Sequence, residues 1–275
     1  MTLLHKKVVC LVVLSAALLI LPGRAAAQNV TANVSTTTIT PYATAVNPVT
    51  NKIYVADHGY VTNGYGGTVT IIDGATNATT SLSVWSEPGP IAINPVTNKV
   101  YVGHFDLCCS LGITVIDGAT NAISRISANS GSTAIAVNPL TNKIYVASVQ
   151  NLVQVIDGVT NTTTDVPVGA EPTSVAVNTV TSKIYAVNYL SNDVTVIDGA
   201  TNITTSVPVG SQPLAAVVNP ATNKIYVSDS LGVTIIDGAT NMTTSVPVAG
   251  GAGRAAESRT TRPRHKEPTE AWVRS

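Results

Sequence analysis

The chain is 275 residues long and 44% hydrophobic, with 15 basic and 15 acidic side chains and a formal net charge of zero. That zero is a cancellation: between Gln28 and Ala249 six cations (Lys52, Lys99, Arg125, Lys143, Lys183, Lys224) stand against twelve acids, a net of about −6. Those 222 residues are ample for one domain with a core. They lack the concentrated positive face that phosphate backbones require, which excludes nucleic-acid binding by this part.

Residues 1–27 read as an export leader. Lys6 and Lys7 precede an apolar run from Val8 to Leu21, followed by Pro22-Gly23 and the small residues Ala25, Ala26 and Ala27. The run is shorter than the roughly 20 residues a spanning helix needs, so the mature chain is expected to be secreted, periplasmic or at the cell surface, with no transmembrane span. Residues 34–40 are threonine-rich and resemble the later phrase Thr204-Thr205-Ser206-Val207-Pro208. They are expected to form a spare outer strand ahead of the first repeat.

From there one phrase recurs five times, over about residues 41–83, 88–127, 132–168, 172–209 and 213–249. Its tyrosines are Tyr54, Tyr101, Tyr145, Tyr185 and Tyr226, spaced by 47, 44, 40 and 41 residues. Its Asp-Gly pairs start at Asp73, Asp117, Asp157, Asp198 and Asp237. Each copy holds short runs rich in Val, Ile, Thr and Tyr, none of helical length, so strands are predicted and not helices. A period of about 40–45 residues built of strands and turns is the signature of a β-propeller. The fold class expected is all-β: a propeller of four-stranded antiparallel blades in five repeats, either complete or part of a larger ring.

The turns carry their own chemistry. In Asn-Pro-x-Thr-Asn-Lys the proline presets its φ angle and the asparagines can bond nearby backbone. Pro48, Pro95, Pro139 and Pro220 hold that place, with Thr179 once instead. The glycine of Asp-Gly is expected to supply a positive φ for a hairpin. Gly169 and Gly210 are expected in the same conformation where the chain crosses to the next repeat.

These five copies of Val-Asn-Pro-x-Thr-Asn-Lys-Ile-Tyr-Val and Val-Thr-Val-Ile-Asp-Gly-Ala-Thr-Asn resemble the YVTN β-propeller repeats of secreted and surface-layer proteins. The resemblance runs from about Thr36 to Val248 and implies the same fold. The literal Tyr60-Val61-Thr62-Asn63 is a coincidence, because the family's strand motif corresponds to Tyr54-Val55-Ala56.

Repetition also separates scaffold from candidate chemistry. The Asp-Gly aspartates and the repeated tyrosines recur in every copy and read as turn formers and packing residues. Departures gather in two loop types: those joining second to third strands, and those joining an outer strand to the next inner one. Both are expected on one face, the variable-loop face, where function is usually carried. Candidate ligand contacts there are Tyr60, Tyr65, Trp85, Glu87, Phe105, Glu171 and Tyr189. Asp57, His58, His104 and Asp106 could supply two imidazoles and carboxylates to a metal, although the spacing matches no ligand motif. Cys108 and Cys109 are adjacent candidates for a vicinal disulfide.

Beyond Gly250 basic residues crowd into a segment with no strand pattern. It reads as a disordered tail, or as a shifted reading frame that overwrote a sixth repeat. No nucleophile elbow, phosphate-binding loop or HExxH occurs. The expectation is an exported, non-catalytic binding or surface scaffold without a cofactor, its partner a carbohydrate, peptide or envelope component. The alternative is a periplasmic hydrolase or lactonase, metal-assisted through His58 and His104.

Overall fold

A computed structural model describes residues 40–58, 66–85, 87–105, 112–128 and 131–248. The leader, the spare strand at 34–39, the tail, and Tyr60, Tyr65, Asp106, Cys108 and Cys109 lie outside them. Twenty strands form five four-stranded antiparallel sheets, with no helix among the described residues. Blade 1 comprises β1 (Pro41–Asn47), β2 (Lys52–Asp57), β3 (Gly67–Asp73) and β4 (Thr79–Val84). Blade 2 comprises β5 (Pro88–Asn94), β6 (Lys99–His104), β7 (Ile113–Asp117) and β8 (Ile123–Ile126). Blade 3 comprises β9 (Ser132–Asn138), β10 (Lys143–Ser148), β11 (Leu152–Asp157) and β12 (Thr163–Pro167). Blade 4 comprises β13 (Pro172–Asn178), β14 (Lys183–Asn188), β15 (Asp193–Asp198) and β16 (Thr204–Pro208). Blade 5 comprises β17 (Ala215–Asn219), β18 (Lys224–Asp229), β19 (Gly232–Asp237) and β20 (Thr243–Pro247).

Within each blade the strands pair in chain order, and the first strand of each blade lies against the first strand of the next, from β1 through β5, β9 and β13 to β17. No such packing returns from β17 to β1. The described blades therefore form an open arc.

What fills the space between blades follows from strand alternation, which sends successive side chains to opposite faces. In β2 the residues Tyr54 and Ala56 face blade 2, where they meet Val100, Val102 and Ile116. Blade 2 repeats the pattern with Tyr101, Ile113 and Val115 against Ile144, Val146 and Ile156. Tyr145 then packs on Ile184, Ala186 and Ile197, and Tyr185 on Ile225, Val227 and Ile236. The inner-strand partner across from the tyrosine is Ala45, Ala92, Ala136 or Ala176, small enough for the crowded axis, but Val217 in blade 5. The hydroxyls of Tyr54, Tyr101 and Tyr185 are buried without a hydrogen-bond partner. Burial, with Asp198 or Asp237 of the following blade adding, pushes Tyr145 and Tyr185 up to about 12.

The turn glycines act differently from the sequence expectation. Neither the Asp-Gly glycines nor Gly169 and Gly210 lie in the left-handed region. Positive φ falls instead on Asn77, Asn121, Asn161, Asn202 and Asn241, three residues later, where asparagine is well tolerated. The Asp-Gly glycines are required by close approach. A Cβ on Gly118 would sit 2.3 Å from Asn98 Oδ1, and the amide of each such glycine donates to the carbonyl of Asn51, Asn98, Asn142, Ser182 or Asn223 in the neighbouring turn. Gly210 likewise leaves no room, its Cβ position lying 2.3 Å from the Asp229 carboxyl.

The Asp-Gly aspartates carry a pH signature. In each, the amide of the threonine three residues on is the largest influence, and with the amide two residues on and that threonine's hydroxyl it holds the carboxyl below its usual value. A folded pKa below the unfolded one means that the stabilisation is complete above the unfolded value of about 3.9 and is lost as pH falls through the folded value. The thermal midpoint should therefore stay level from neutral pH to about 5 and drop below about 4. Asp198→Asn, which keeps an acceptor oxygen, should shallow that drop; a midpoint insensitive to acid would contradict the assignment.

Candidate functional site

Backbone bonding places the two variable loop types on one face, opposite the Asp-Gly turns. The amide of Phe105 donates to the Glu87 carbonyl at 3.1 Å, and that of Tyr189 to the Glu171 carbonyl at 2.9 Å. The Glu171 amide donates to Asn151 Oδ1 at 2.9 Å and the Gln212 amide to Asn192 Oδ1 at 2.7 Å. Glu87, Glu171 and Gln212 occupy one repeated position with φ of 49°, 54° and 52°. Left-handed backbone is uncommon for such side chains, and here the interlocked loops hold it in place.

Each inner strand opens on this face, and four of the five open with a register irregularity. The residues left unpaired are Tyr42 in blade 1, Gly89 and Pro90 in blade 2, Thr133 in blade 3 and Thr173 in blade 4. A bulge re-aims the side chain it frees. In blades 3 and 4 that side chain is a threonine tied to the next blade, Thr133 Oγ1 donating to the Pro172 carbonyl at 2.6 Å and Thr173 Oγ1 to the Leu214 carbonyl at 3.0 Å. In blade 1 it is Tyr42, 48% exposed. Its ring meets Phe105 edge-on at 4.8 Å and His58 at 6.1 Å, while His58 and Phe105 lie 5.5 Å apart. Gly89 makes room, since a Cβ there would fall 2.5 Å from the Phe105 ring.

Three aromatic rings thus converge between blades 1 and 2. Two of them, Phe105 and His58, were singled out in the sequence; Tyr42 was not. The signal was available, because Tyr42 stands where the other copies have Gly89, Thr133, Thr173 and Leu214. It lies in a strand, whereas only loops were searched for departures.

Of the other described candidates, Glu87 meets the cluster through its carbonyl, which accepts from the Phe105 amide, while Trp85, Glu171, Tyr189, Asp57 and His104 do not join it. Trp85 is 36% exposed and has Arg125, on the outer strand of blade 2, 5.6 Å from its ring centre. Glu171 is exposed and Tyr189 half-buried, both at the junction of blades 3 and 4. Asp57 and His104 are buried and turned into their own blades. Asp57 accepts from Thr70 Oγ1 at 2.8 Å, and His104 Nε2 lies 2.7 Å from Thr114 Oγ1. They share one position, the last residue of the second strand, with Ser148, Asn188 and Asp229, all buried. Asn188 donates to Thr195 Oγ1 at 2.9 Å, and Thr234 Oγ1 donates to Asp229 at 2.7 Å. In blades 1, 2, 4 and 5 that polar residue is bonded across to the third strand, and its identity varies. Among the described residues no group of three or more His, Cys, Asp and Glu is placed to hold a metal ion.

Charge is segregated as well. Each of the five lysines neighbours an Asp-Gly aspartate on the turn face and helps hold its carboxyl ionised. Those ten charges cancel. Six described acids remain, Asp57, Glu87, Asp165, Glu171, Asp193 and Asp229, against the single cation Arg125. The variable-loop side is therefore the negative one.

No protein-family model matches the chain, and no curated protein does. Solved structures do. A chain of a nidogen/laminin complex is 12% identical with a TM-score of 0.58, over 76% of this chain and 79% of that one. A functionally unknown protein from Desulfotomaculum acetoxidans is 15% identical with a TM-score of 0.63, over 78% and 70%. Hydrazine synthase of Kuenenia stuttgartiensis is 20% identical with a TM-score of 0.61, over 82% and 70%. The fold is a β-propeller. At these identities the likeness concerns fold alone. Among the described residues of this propeller no helix is long and apolar enough to cross a membrane.

Proposed function

We propose that this is an exported, non-catalytic propeller of the YVTN type that binds a carbohydrate, peptide or envelope component on its variable-loop face. The observation that carries the reading is the Tyr42–His58–Phe105 cluster, built where the bulge frees a tyrosine in place of the threonines of blades 3 and 4 and where Gly89 makes room for Phe105. Aromatic rings offer large, rigid contact area for sugar faces or side chains. The negative field on the same side favours neutral or cationic ligands over polyanions. The nidogen/laminin complex is an assembly of proteins by its own name and supports a binding role for such a fold. Hydrazine synthase is named for a reaction, so the fold by itself does not choose. Non-catalytic use draws its support from Asp57 and His104, whose side chains are committed to threonines inside their blades.

The test is a glycan and peptide array followed by calorimetry on the best ligand. Tyr42→Ala and Phe105→Ala should each weaken binding by about tenfold or more, as loss of an aromatic anchor does, while Tyr226→Ser, in blade 5, should leave it unchanged. A ligand held equally well by all three variants would place the site elsewhere.

A further inference from the structure

The four junctions between successive blades are built alike, and the arc ends on one that is half built. Each blade presents three groups to the next, although Asn138 of blade 3 finds no partner across its junction. The second-strand tyrosine slides under the following blade and is 0% or 1% exposed at Tyr54, Tyr101, Tyr145 and Tyr185. The lysine at the head of that strand donates to a turn carbonyl of the following blade, as Lys52 does to Gly118 at 2.8 Å, Lys143 to Gly199 at 2.7 Å and Lys183 to Gly238 at 2.8 Å. The asparagine ending the inner strand donates to the turn asparagine ahead: Asn47 to Asn98 at 2.9 Å, Asn94 to Asn142 at 2.7 Å and Asn178 to Asn223 at 2.9 Å.

Blade 5 carries the full sending set with no described blade to receive it. Asn219 and Lys224 are exposed and Tyr226 is 36% exposed. Beside them Val217 is 67% and Val246 44% exposed, on strands whose counterparts elsewhere are covered. On the far side of blade 1 the receiving positions are not open in the same way: Ile53, Val55 and Ile72 are 6%, 2% and 7% exposed. They form an apolar cluster there, at the positions that receive the tyrosine elsewhere. Among the described residues no inner-strand asparagine bonds to Asn51 and no lysine to the Gly74 carbonyl.

We infer that the outer face of blade 5 docks one further four-stranded blade of this same repeat. Continuity with the four existing junctions identifies the occupant. It must offer an apolar face to Tyr226, as Ile184, Ala186 and Ile197 do to Tyr145, and a turn carbonyl to Lys224, as Gly199 does to Lys143.

The probe is a peptide with the sequence of residues 169–209, added to the full chain. Binding is read as mass by light scattering and as nitration of Tyr226 by tetranitromethane. A one-to-one complex is expected, with nitration of Tyr226 reduced about tenfold when the peptide is tenfold above its dissociation constant. Ile184→Asp in the peptide and Tyr226→Asp in the chain should each abolish the complex. A second version joins the same stretch after Ser275 by a flexible linker, so that an aggregating peptide does not decide the matter; Tyr226 should then be protected within one molecule. No protection in either version, or protection indifferent to Ile184→Asp, overturns the proposal. So does a Tyr226 already protected in the chain alone, by dimerisation or until residues 249–275 are removed.

Discussion

Tyr145→Ala is expected to destabilise the protein by about 3–5 kcal/mol, the range for emptying a large aromatic from a packed core, whereas Tyr226→Ala should cost less than about 1 kcal/mol. The two residues hold the same place in the repeat and pair with the same kinds of neighbour, so intrinsic strand propensity is held constant. What differs is the following blade. Tyr145 is 1% exposed and lies against Ile184, Ala186 and Ile197, while Tyr226 is 36% exposed with no described strand over it. In a stacked array stability is a sum of unit terms and neighbour interfaces. Truncating Tyr145 removes interface between blades 3 and 4 and leaves the interior of each blade intact. Denaturant titration should show a lower midpoint for Tyr145→Ala and, if the arc then parts at that junction, a shallower slope. Equal losses at the two positions would mean that the face of blade 5 is covered in solution.

The same contrast shows what could be read in the chain beforehand. Strand order, the inward tyrosines and the shared face of the variable loops follow from local repetition, because every copy poses the same packing problem. Register is not local. The bulges at Tyr42, Thr133 and Thr173 depend on which residue of the second strand each inner residue meets, and no single strand reveals that. Asp57 and His104 looked like departures only because they were compared with loop neighbours. Set beside Ser148, Asn188 and Asp229, they occupy a repeated buried position. Glycine is ambiguous for a related reason: Asp-Gly reads as a conformational requirement, but the constraint at Gly118 is the neighbouring turn lying against it.

Ser182→Asn should stabilise the protein by about 1 kcal/mol or more, the worth of a buried hydrogen bond restored. Serine stands here where the other four copies have Asn51, Asn98, Asn142 and Asn223, and its φ is 53°, as theirs are 52° or 53°. Two effects then point the same way. Asparagine tolerates left-handed backbone better than serine. It would also supply the acceptor missing ahead of Asn138, whose Nδ2 is buried with no partner although its counterparts in blades 1, 2 and 4 donate across the junction at 2.7–2.9 Å. The hydrogen-bond part of the gain should vanish in Asn138→Ala, where there is no donor to satisfy, leaving only the backbone preference, and a double-mutant cycle measures the difference. If Ser182→Asn stabilises equally with and without Asn138, backbone preference alone is responsible and the chain of asparagines contributes nothing at that junction. If the coupling is present, blade-to-blade bonding through these turns is energetic, and the unanswered Asn219 at the end of the arc has a measurable interaction still to make.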